Sequence, residues 1–490
     1  MVLGILIVPF LIAKLGKVAF GLIVLAESTI VFFEFIAISV RISLSRHATF
    51  ALSQGNYAEF IGYLSSGKYI LYICSGALLF LGCIFSYFFS NIFHVPISLA
   101  VQSKILFFLI TIAIFISVPN IINWSVLYAK QRFDLINLAT SGGLILRAGA
   151  IFLFYSLLPN KNSLLFIYGL IYLLMRIFQN YLVYFWSNKI MPGMKLNSNF
   201  ESKKARELIS FGGYSTLTSI SSILYDNTAN ILINLLYGPS LNAIYAISLR
   251  FPTLIKGLFL QATWALNPTV TDLAAKNDNE TLKKLFFTHS KLLSIATIPI
   301  SLCLIIFSDQ IIDLWVGKDF SQAGNLLKIH MVPLIATIPL AVLNLANNAY
   351  AKLRIPSWIS FGGAICNVLF GIILAIYFGF GLYGFAVSAA VCTFFVFVVF
   401  MPYYSCKMVK ISLKKYWLDI FLKPFLLAAL IIGVGHFLVH IFTHESHAYL
   451  LIMLISTLFL LGVYCYFVYI FLINKYERDM FINFLKRRSL

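Results

Sequence analysis

Residues 69–93, YILYICSGALLFLGCIFSYFFSNIF, form an apolar run that contains no charged side chain. As an α-helix this run is about 37 Å long, enough to cross the ~30 Å hydrocarbon core of a bilayer. Lipid offers no partner to backbone N–H and C=O groups, so an apolar segment of this length must satisfy them within its own helix. The run therefore predicts a transmembrane α-helix.

The rest of the chain has a similar composition. Of its 490 residues, 61% are hydrophobic and 11% are charged, and its mean hydropathy is +0.92. A soluble globular protein has about 45–50% apolar and about 25% charged residues. These values exclude a soluble protein. Continuous apolar runs, in place of alternating segments of about ten residues, also exclude an outer-membrane barrel.

Apolar runs separated by charged, Pro, Gly or Asn residues predict an all-α polytopic membrane bundle of about fourteen transmembrane helices. The predicted spans are residues 1–13, 19–42, 69–93, 104–128, 135–158, 163–186, 208–237, 242–270, 287–308, 322–349, 357–378, 381–403, 424–443 and 449–473. The first span is short, at about 20 Å.

Lysine and arginine are distributed unevenly among the connectors. Alternate connectors place 26 of the 36 basic residues on one side of the membrane and six on the other. By the positive-inside rule, the crowded side is cytoplasmic, which puts both termini in the cytoplasm. The same distribution accounts for the net charge of +19, so we expect no nucleic-acid partner.

A short motif is duplicated. YAKQR at residues 128–132 follows the fourth span, and YAKLR at residues 350–354 follows the tenth. A proline, Pro119 or Pro339, lies about ten residues before each copy, and a Gly-Gly pair follows each. Six spans separate the copies, so the two halves share one orientation and predict parallel repeats.

The repeats set the expected domain boundaries. Residues 1–186 form an N-terminal six-helix lobe, and a cytoplasmic loop of residues 187–207 joins it to a C-terminal six-helix lobe of residues 208–403. Residues 404–490 contain two additional helices and a basic cytoplasmic tail.

Seven charged side chains lie inside predicted spans, apart from the basic residues already counted with the connectors. A charge at the bilayer centre costs about 2.5–3.5 kcal/mol on insertion scales, so each is expected to face water or a partner. Guanidinium groups fork onto phosphate oxygens, and the four cations therefore suit an anion such as a pyrophosphate. We predict these cations as substrate-binding residues: Arg147, Arg250, Lys256 and Arg176. The alternative is structural pairing of Arg with Glu inside the bundle.

The three acidic residues in the spans are candidates for ion coupling. They are Glu34, Asp226 and Glu27. An intramembrane carboxylate can take up and release a proton or another cation during a transport cycle. We predict H+ or Na+ as the coupling ion.

The seventh span has a polar face. Ser215, Ser219, Ser222, Asp226 and Asn230 recur at steps of four, three, four and four residues, which places them on one side of a helix. We expect a water-filled cavity lined by the uncharged members of this set: Ser215, Ser219, Ser222 and Asn230. The alternative is hydrogen bonding to a neighbouring helix, worth ~0.6 kcal/mol per bond on average.

Catalytic and cofactor motifs are missing from the sequence. It has no glycine-rich phosphate loop, HExxH, GxSxG or DxD pair. We expect a transporter without enzyme activity, cofactor or metal site.

Four histidines crowd the end of the thirteenth span, and we interpret them as an interfacial cluster: His436, His440, His444 and His447.

Five segments carry a resemblance to a known family. They are FLIAKLGKVAFGLIVLAES (10–28), YAKQR (128–132), FGGYSTLTSISSILYDNTANILI (211–233), FSDQIIDLWVGKDFSQA (307–323) and GFGLYGFAVSAAV (379–391). Over essentially its whole length the chain resembles the polysaccharide flippases, the Wzx-type transporters of O-antigen and capsule repeat units. These belong to the multidrug/oligosaccharidyl-lipid/polysaccharide exporter superfamily.

The resemblance implies two six-helix lobes forming a MATE-like V, plus two C-terminal helices, that alternate between inward-open and outward-open states. It implies a flippase that moves undecaprenyl-pyrophosphate-linked oligosaccharides across the bacterial cytoplasmic (inner) membrane, with an ion gradient as the energy source. The implied pathway is O-antigen, capsule or exopolysaccharide synthesis, with a polymerase and other assembly proteins as partners. The family has a cationic lumen, which Arg147, Arg250 and Lys256 would supply here.

Two other functions stay open. A multidrug exporter of the same superfamily predicts a more acidic and aromatic cavity, and the cationic excess disfavours it. A membrane enzyme of surface-glycan assembly predicts catalytic motifs and a large outer loop, which this sequence lacks.

Overall fold

The structure is a computed structural model that describes residues 2–157, 163–194, 196, 200–211, 213–276, 278–350, 352–433, 435–437 and 449–472. Every regular element in these ranges is helical, and none of the ranges contains a strand. The all-α fold class is therefore confirmed. Its physical cause is that helices satisfy their backbone hydrogen bonds within one segment.

Short turns or single-residue breaks separate most of the helices. In chain order the helices are α1 (Val2–Leu15), α2 (Lys17–Ser53), α3 (Tyr57–Ile92), α4 (Ala100–Ser117), α5 (Ile121–Ala129), α6 (Phe133–Leu157), α7 (Leu164–Ile190), α8 (Ser202–Phe211), α9 (Gly213–Tyr237), α10 (Pro239–Ser248), α11 (Arg250–Trp264), α12 (Asn267–Ala275), α13 (Asn279–Ile306), α14 (Ser308–Val316), α15 (Gln322–Leu340), α16 (Asn344–Ala349), α17 (Arg354–Ile372), α18 (Leu382–Thr393), α19 (Met401–Val409), α20 (Leu413–Trp417), α21 (Lys423–Ala428) and α22 (Tyr449–Phe467). Short 3₁₀ turns occupy Ile97–Leu99, Lys318–Phe320 and Ala341–Leu343, and π-helical turns occupy Ile373–Tyr377, Phe394–Phe400, Leu418–Leu422, Ala429–Gly433 and Val468–Leu472.

The structure has helices at the positions of the predicted spans, with differences in number and in extent. The fourth predicted span, residues 104–128, is divided between α4 and α5, and residues 434 and 438–443 of the thirteenth lie outside the described residues. Among the described residues, twelve helical segments are long and apolar enough to cross a membrane. Of the two remaining predicted spans, the first is the short apolar helix α1, and the seventh is α9, which carries the polar face. The expected connector between the second and third spans is mostly helix, because α2 continues to Ser53 and α3 begins at Tyr57. Asn56 caps α3 by accepting a hydrogen bond from the backbone N–H of Glu59, which satisfies an N–H that has no partner within the helix.

The duplicated motif lies at equivalent places in the fold. Pro119 lies in the break between α4 and α5, and Pro339 precedes the 3₁₀ turn between α15 and α16. Proline has no backbone N–H, and its ring clashes with the preceding helical turn, which favours the break after α4. Pro339 lies in the last turn of α15, which ends one residue later at Leu340. The YAKQR copy begins at Tyr128 in the last turn of α5, and the YAKLR copy begins at Tyr350 directly after α16.

Contacts divide the chain into two compact units. Unit 1 contains Met1–Ile247 and Ser360–Phe385, and unit 2 contains Ser248–Ile359 and Ala386–Leu490. Each unit has buried apolar clusters, such as the one around Leu127 in unit 1 and the one around Phe286 in unit 2. The lobes expected from the repeat, and their V, stay predictions.

In unit 1, α2 packs against α9 and α10 through small and polar residues. The Nδ2 of Asn242 donates to the backbone oxygen of Gly21 at 3.1 Å, and the Nδ2 of Asn230 lies 3.2 Å from the Oγ of Ser28. A Cβ added to Gly21 would stand 1.9 Å from the carbonyl oxygen of Pro239. Only glycine permits this close approach of two backbones.

The close approach predicts the effect of a single methyl group. Gly21→Ala should destabilise the protein by about 1–3 kcal/mol, because the backbone of α10 must move away from α2. Gly76→Ala on α3 is the matched control, because a Cβ there meets no heavy atom within 4 Å. The measurement is the apparent melting temperature of each purified variant in detergent. Equal melting temperatures for the two variants would contradict the close approach.

Candidate functional site

The seven charged residues within the spans divide between the two units. Unit 1 contains Glu27, Glu34, Arg147, Arg176 and Asp226, and unit 2 contains Arg250 and Lys256. In unit 1, side chains from α2, α6 and α7 form a connected polar group.

An ion pair lies at the centre of this group. The Nη2 of Arg147 on α6 is 2.7 Å from the Oε1 of Glu27 on α2. The same Oε1 accepts a hydrogen bond of 2.9 Å from the hydroxyl of Tyr168 on α7, and that hydroxyl also accepts from the Arg147 guanidinium. Three helices therefore meet at one carboxylate oxygen.

Aromatic rings extend the group along α7. The Arg147 guanidinium lies 4.6 Å from the ring centre of Tyr172 and 5.0 Å from that of Tyr168. Arg176 lies 5.7 Å from the ring centre of Tyr172. Such contacts hold a guanidinium in place without neutralising its charge.

A second carboxylate continues the group along α2. Glu34 is half-buried and lies within electrostatic range of Arg176 and Arg41. The Arg41 guanidinium lies 5.4 Å from the ring centre of Trp124. The α2 face that carries residues 27, 34 and 41 is therefore surrounded by charged groups of both signs and by aromatic rings from neighbouring helices.

The central pair is not sealed from its surroundings. The side chains of Arg147 and Glu27 are 21% and 33% exposed. The structural pairing that the sequence left open as an alternative is therefore present at Arg147. The predicted roles of this arginine in substrate binding and of Glu27 in ion coupling stay predictions, and the structure brings the two residues together.

The polar face of α9 turns out to have two different surroundings. Asn230 is buried against Ser28 of α2, which is the helix-packing alternative. One turn and two turns earlier, the side chains of Asp226 and Ser222 are exposed. An exposed carboxylate on a membrane helix requires water or a polar partner, because lipid cannot solvate it. Ser219 is half-buried, and Ser215 lies in α9 with its side chain outside the described residues.

In unit 2, the predicted cations lie on α11. Arg250 begins this helix directly after the break that ends α10, and it is half-buried. Pro252 lies in its first turn and favours the break, because its nitrogen has no N–H to donate and its ring clashes with the carbonyl one turn earlier. Phe251 packs on Trp315 of α14 at 5.0 Å between ring centres. Lys256 is exposed.

Among the four clustered histidines, only His436 lies in the described part of the chain, and its ring packs edge-on against Phe307 at 4.8 Å. His440, His444 and His447 lie outside it. Within the described residues, no group of three or more His, Cys, Asp or Glu side chains could hold a metal ion.

Sequence reasoning missed the two tyrosines that organise the site. Tyr168, Tyr172 and Arg176 recur every four residues along α7, so all three share one helical face. This spacing was visible in the sequence. The spacing did not show that α6 places Arg147 against this face of α7.

The comparisons with known proteins identify the family. The family model described as polysaccharide biosynthesis protein matches residues 15–325. The chain belongs to this family. Its relative in Bacillus subtilis (strain 168), the uncharacterized membrane protein EpsK, is 22% identical over 405 residues, which cover 82% of this chain and 79% of the relative.

Solved structures show the same fold. The inward closed lipid II flippase MurJ matches with a TM-score of 0.65 and 18% identity, covering 94% of this chain and 98% of that chain. An inward-facing multidrug resistance MATE transporter of the MOP superfamily matches with a TM-score of 0.63 and 14% identity, covering 84% and 98%. The family and the MATE-like fold expected from the sequence are thus confirmed.

The central ion pair predicts a measurable coupling. In a double-mutant cycle, Glu27→Ala and Arg147→Ala should be coupled by about 0.5–3 kcal/mol, because either change alone leaves a charge without its partner. Partial exposure of both side chains keeps the value below that of a sealed pair. The measurement is reversible unfolding in mixed micelles.

The control cycle uses Asp272 and Lys276, an exposed pair on one face of a helix at 2.7 Å, with side chains 59% and 66% exposed. It should give less than about 0.5 kcal/mol. Similar coupling in the two cycles would mean that the central pair contributes no more than a surface contact.

Proposed function

We propose that this protein is a flippase that moves undecaprenyl-pyrophosphate-linked oligosaccharides across the membrane by alternating access. The observation that carries the proposal is the group of guanidinium and carboxylate side chains held by tyrosines within membrane spans, and still partly exposed. Charges at this depth need water or an ionic partner. A polysaccharide biosynthesis family with a fold shared by flippases and exporters makes a lipid-linked sugar the substrate that fits best.

The anionic end of such a substrate would bind to the intramembrane cations. A pyrophosphate presents several oxygens, and arginine can donate two parallel hydrogen bonds to them, whereas lysine adds a point charge. We assign this binding to Arg147 and Arg176 on α6 and α7 and to Arg250 and Lys256 on α11. The sugar would pass along the part of the polar face of α9 that carries Ser215, Ser219 and Ser222, since Asn230 is buried against Ser28.

An ion gradient would drive the cycle. Glu34 and Asp226, with Glu27 as a third candidate, would take up and release H+ or Na+. Glu34 lies within electrostatic range of Arg176 and Arg41, so a change in its charge would alter the charge balance of the group on α2 and α7.

The proposed location is the bacterial cytoplasmic membrane, with both termini in the cytoplasm. The uneven distribution of Lys and Arg supports this orientation. The pathway would be O-antigen, capsule or exopolysaccharide synthesis, and a polymerase and other assembly proteins are the proposed partners.

A multidrug exporter is the second candidate function. The similarity in fold to a multidrug resistance transporter favours it. The two functions are distinguished by deleting the gene. A flippase predicts accumulation of lipid-linked oligosaccharide on the cytoplasmic side, whereas an exporter predicts a changed drug resistance profile without that accumulation.

Translocation can be measured directly. Purified protein in proteoliposomes should move a fluorescent undecaprenyl-pyrophosphate-linked oligosaccharide between leaflets, as read by its accessibility to a membrane-impermeant quencher. An Arg147→Ala, Arg176→Ala variant should be at least about tenfold slower, because it loses two phosphate-binding groups. Arg132→Ala is the control, since Arg132 forms an exposed pair with Asp134 at 2.8 Å. No translocation by the unaltered protein under any ion gradient would contradict the flippase proposal.

Ion coupling has its own test in the same vesicles. Glu34→Gln and Asp226→Asn should each abolish the acceleration by a proton or sodium gradient, because neither neutral side chain can exchange the ion. Asp272→Asn is the control on an exposed helix face. Gradient dependence that is unchanged in both variants would rule out the two carboxylates as the coupling groups.

A further inference from the structure

The carboxylate at Arg147 occupies the place where an anionic substrate would be expected. A carboxylate and a phosphate both present negatively charged oxygens to a guanidinium, at similar distances and with similar geometry. The Oε1 of Glu27 lies 2.7 Å from the Nη2 of Arg147. Glu27 therefore satisfies the hydrogen bond that a phosphate oxygen would make at the same nitrogen.

Aromatic contacts also hold Arg147. The rings of Tyr172 and Tyr168 lie 4.6 Å and 5.0 Å from its guanidinium. The hydroxyl of Tyr168 also donates to Glu27, whereas the contact with the ring of Tyr172 does not pass through the carboxylate. If the carboxylate leaves, the arginine keeps the cation–π contact with Tyr172 and its charge.

Exchange of one anion for another is also sterically and electrostatically possible. Both members of the pair are partly exposed, so the bundle does not enclose either side chain completely. Arg176 lies on the same tyrosine as Arg147, which raises the local positive charge. A pyrophosphate carries more negative charge than one carboxylate and would interact more strongly with two guanidinium groups.

We propose that Glu27 is a placeholder for the phosphate headgroup of the substrate. It neutralises Arg147 while the site is empty, and the headgroup displaces it on binding. Glu27 is then a specificity-determining residue, because only an anion that competes with a carboxylate can take its place. This inference rests on the proposed function and adds to it the ligand class and the order of events at Arg147.

Binding of farnesyl pyrophosphate to the purified full-length protein in nanodiscs tests the proposal. Glu27→Gln keeps the shape of the side chain and removes the competing charge, so it should lower the Kd about tenfold. The gain should vanish in a Glu27→Gln, Arg147→Ala double variant when compared with Arg147→Ala. Asp134→Asn on α6 is the matched control, since it breaks the exposed Arg132–Asp134 pair and should leave the Kd unchanged.

An unchanged or higher Kd in Glu27→Gln would overturn the placeholder and leave the pair a structural one. Measuring the Kd of inorganic pyrophosphate in parallel distinguishes a site for a lipid headgroup from a site for a free anion. A Kd lowered by Glu27→Gln for both probes, with tighter binding of the farnesyl compound, supports the lipid headgroup. A gain confined to inorganic pyrophosphate overturns that assignment.

A second measurement uses the unaltered protein and does not depend on the folding of a variant. Dicyclohexylcarbodiimide modifies accessible intramembrane carboxyl groups, and mass spectrometry resolves the modified residue. Modification of Glu27 should increase several-fold when farnesyl pyrophosphate displaces it from Arg147. Modification that falls or stays constant would contradict displacement.

The failure of this inference differs from failure of the proposed function. If lipid-linked oligosaccharide is translocated in proteoliposomes but Glu27→Gln does not tighten binding, the flippase stands and the placeholder falls. If translocation is absent while Glu27→Gln tightens headgroup binding, the placeholder stands and the assigned transport falls.

Discussion

Lipid cannot solvate a charge, and this constraint explains most of what is unusual in unit 1. The spans contain arginine and glutamate at depths where each alone would cost several kcal/mol. Those costs are offset by bringing opposite charges together and by placing tyrosine rings against the guanidinium groups. Arg147 makes both kinds of interaction: an ion pair with Glu27 and contacts with the rings of Tyr168 and Tyr172.

A single helix organises these contacts. Along α2, Gly21 permits the close approach of α10, Ser28 faces Asn230 of α9, and Glu27 pairs with α6. The small residues therefore lie against α9 and α10, while the acidic residues meet the arginines of α6 and α7. Any movement of α2 relative to these neighbours changes packing and electrostatics together, which is what a transport cycle coupled to ion or substrate binding needs.

Pairing and function are compatible in this arrangement. A buried ion pair is weak evidence for stability, because desolvation of both charges offsets much of their attraction. A partly exposed pair inside a bundle has a smaller desolvation cost and can exchange partners. The geometry at Arg147 thus accommodates both the structural pairing and the anion site that the sequence left as alternatives.

Composition and the apolar runs determined the fold class from sequence, because segments such as residues 69–93 have only one way to satisfy their backbone in lipid. The duplicated YAKQR and YAKLR copies similarly indicated the repeat, and the chemistry of proline favours the break at Pro119. The polar face of α9 was readable from spacing, but spacing cannot distinguish a residue that faces a neighbouring helix from one that faces water. Only the tertiary structure decided that Asn230 packs on α2, that Asp226 is exposed, and that Glu27 reaches Arg147, because these contacts join helices that are far apart in the chain.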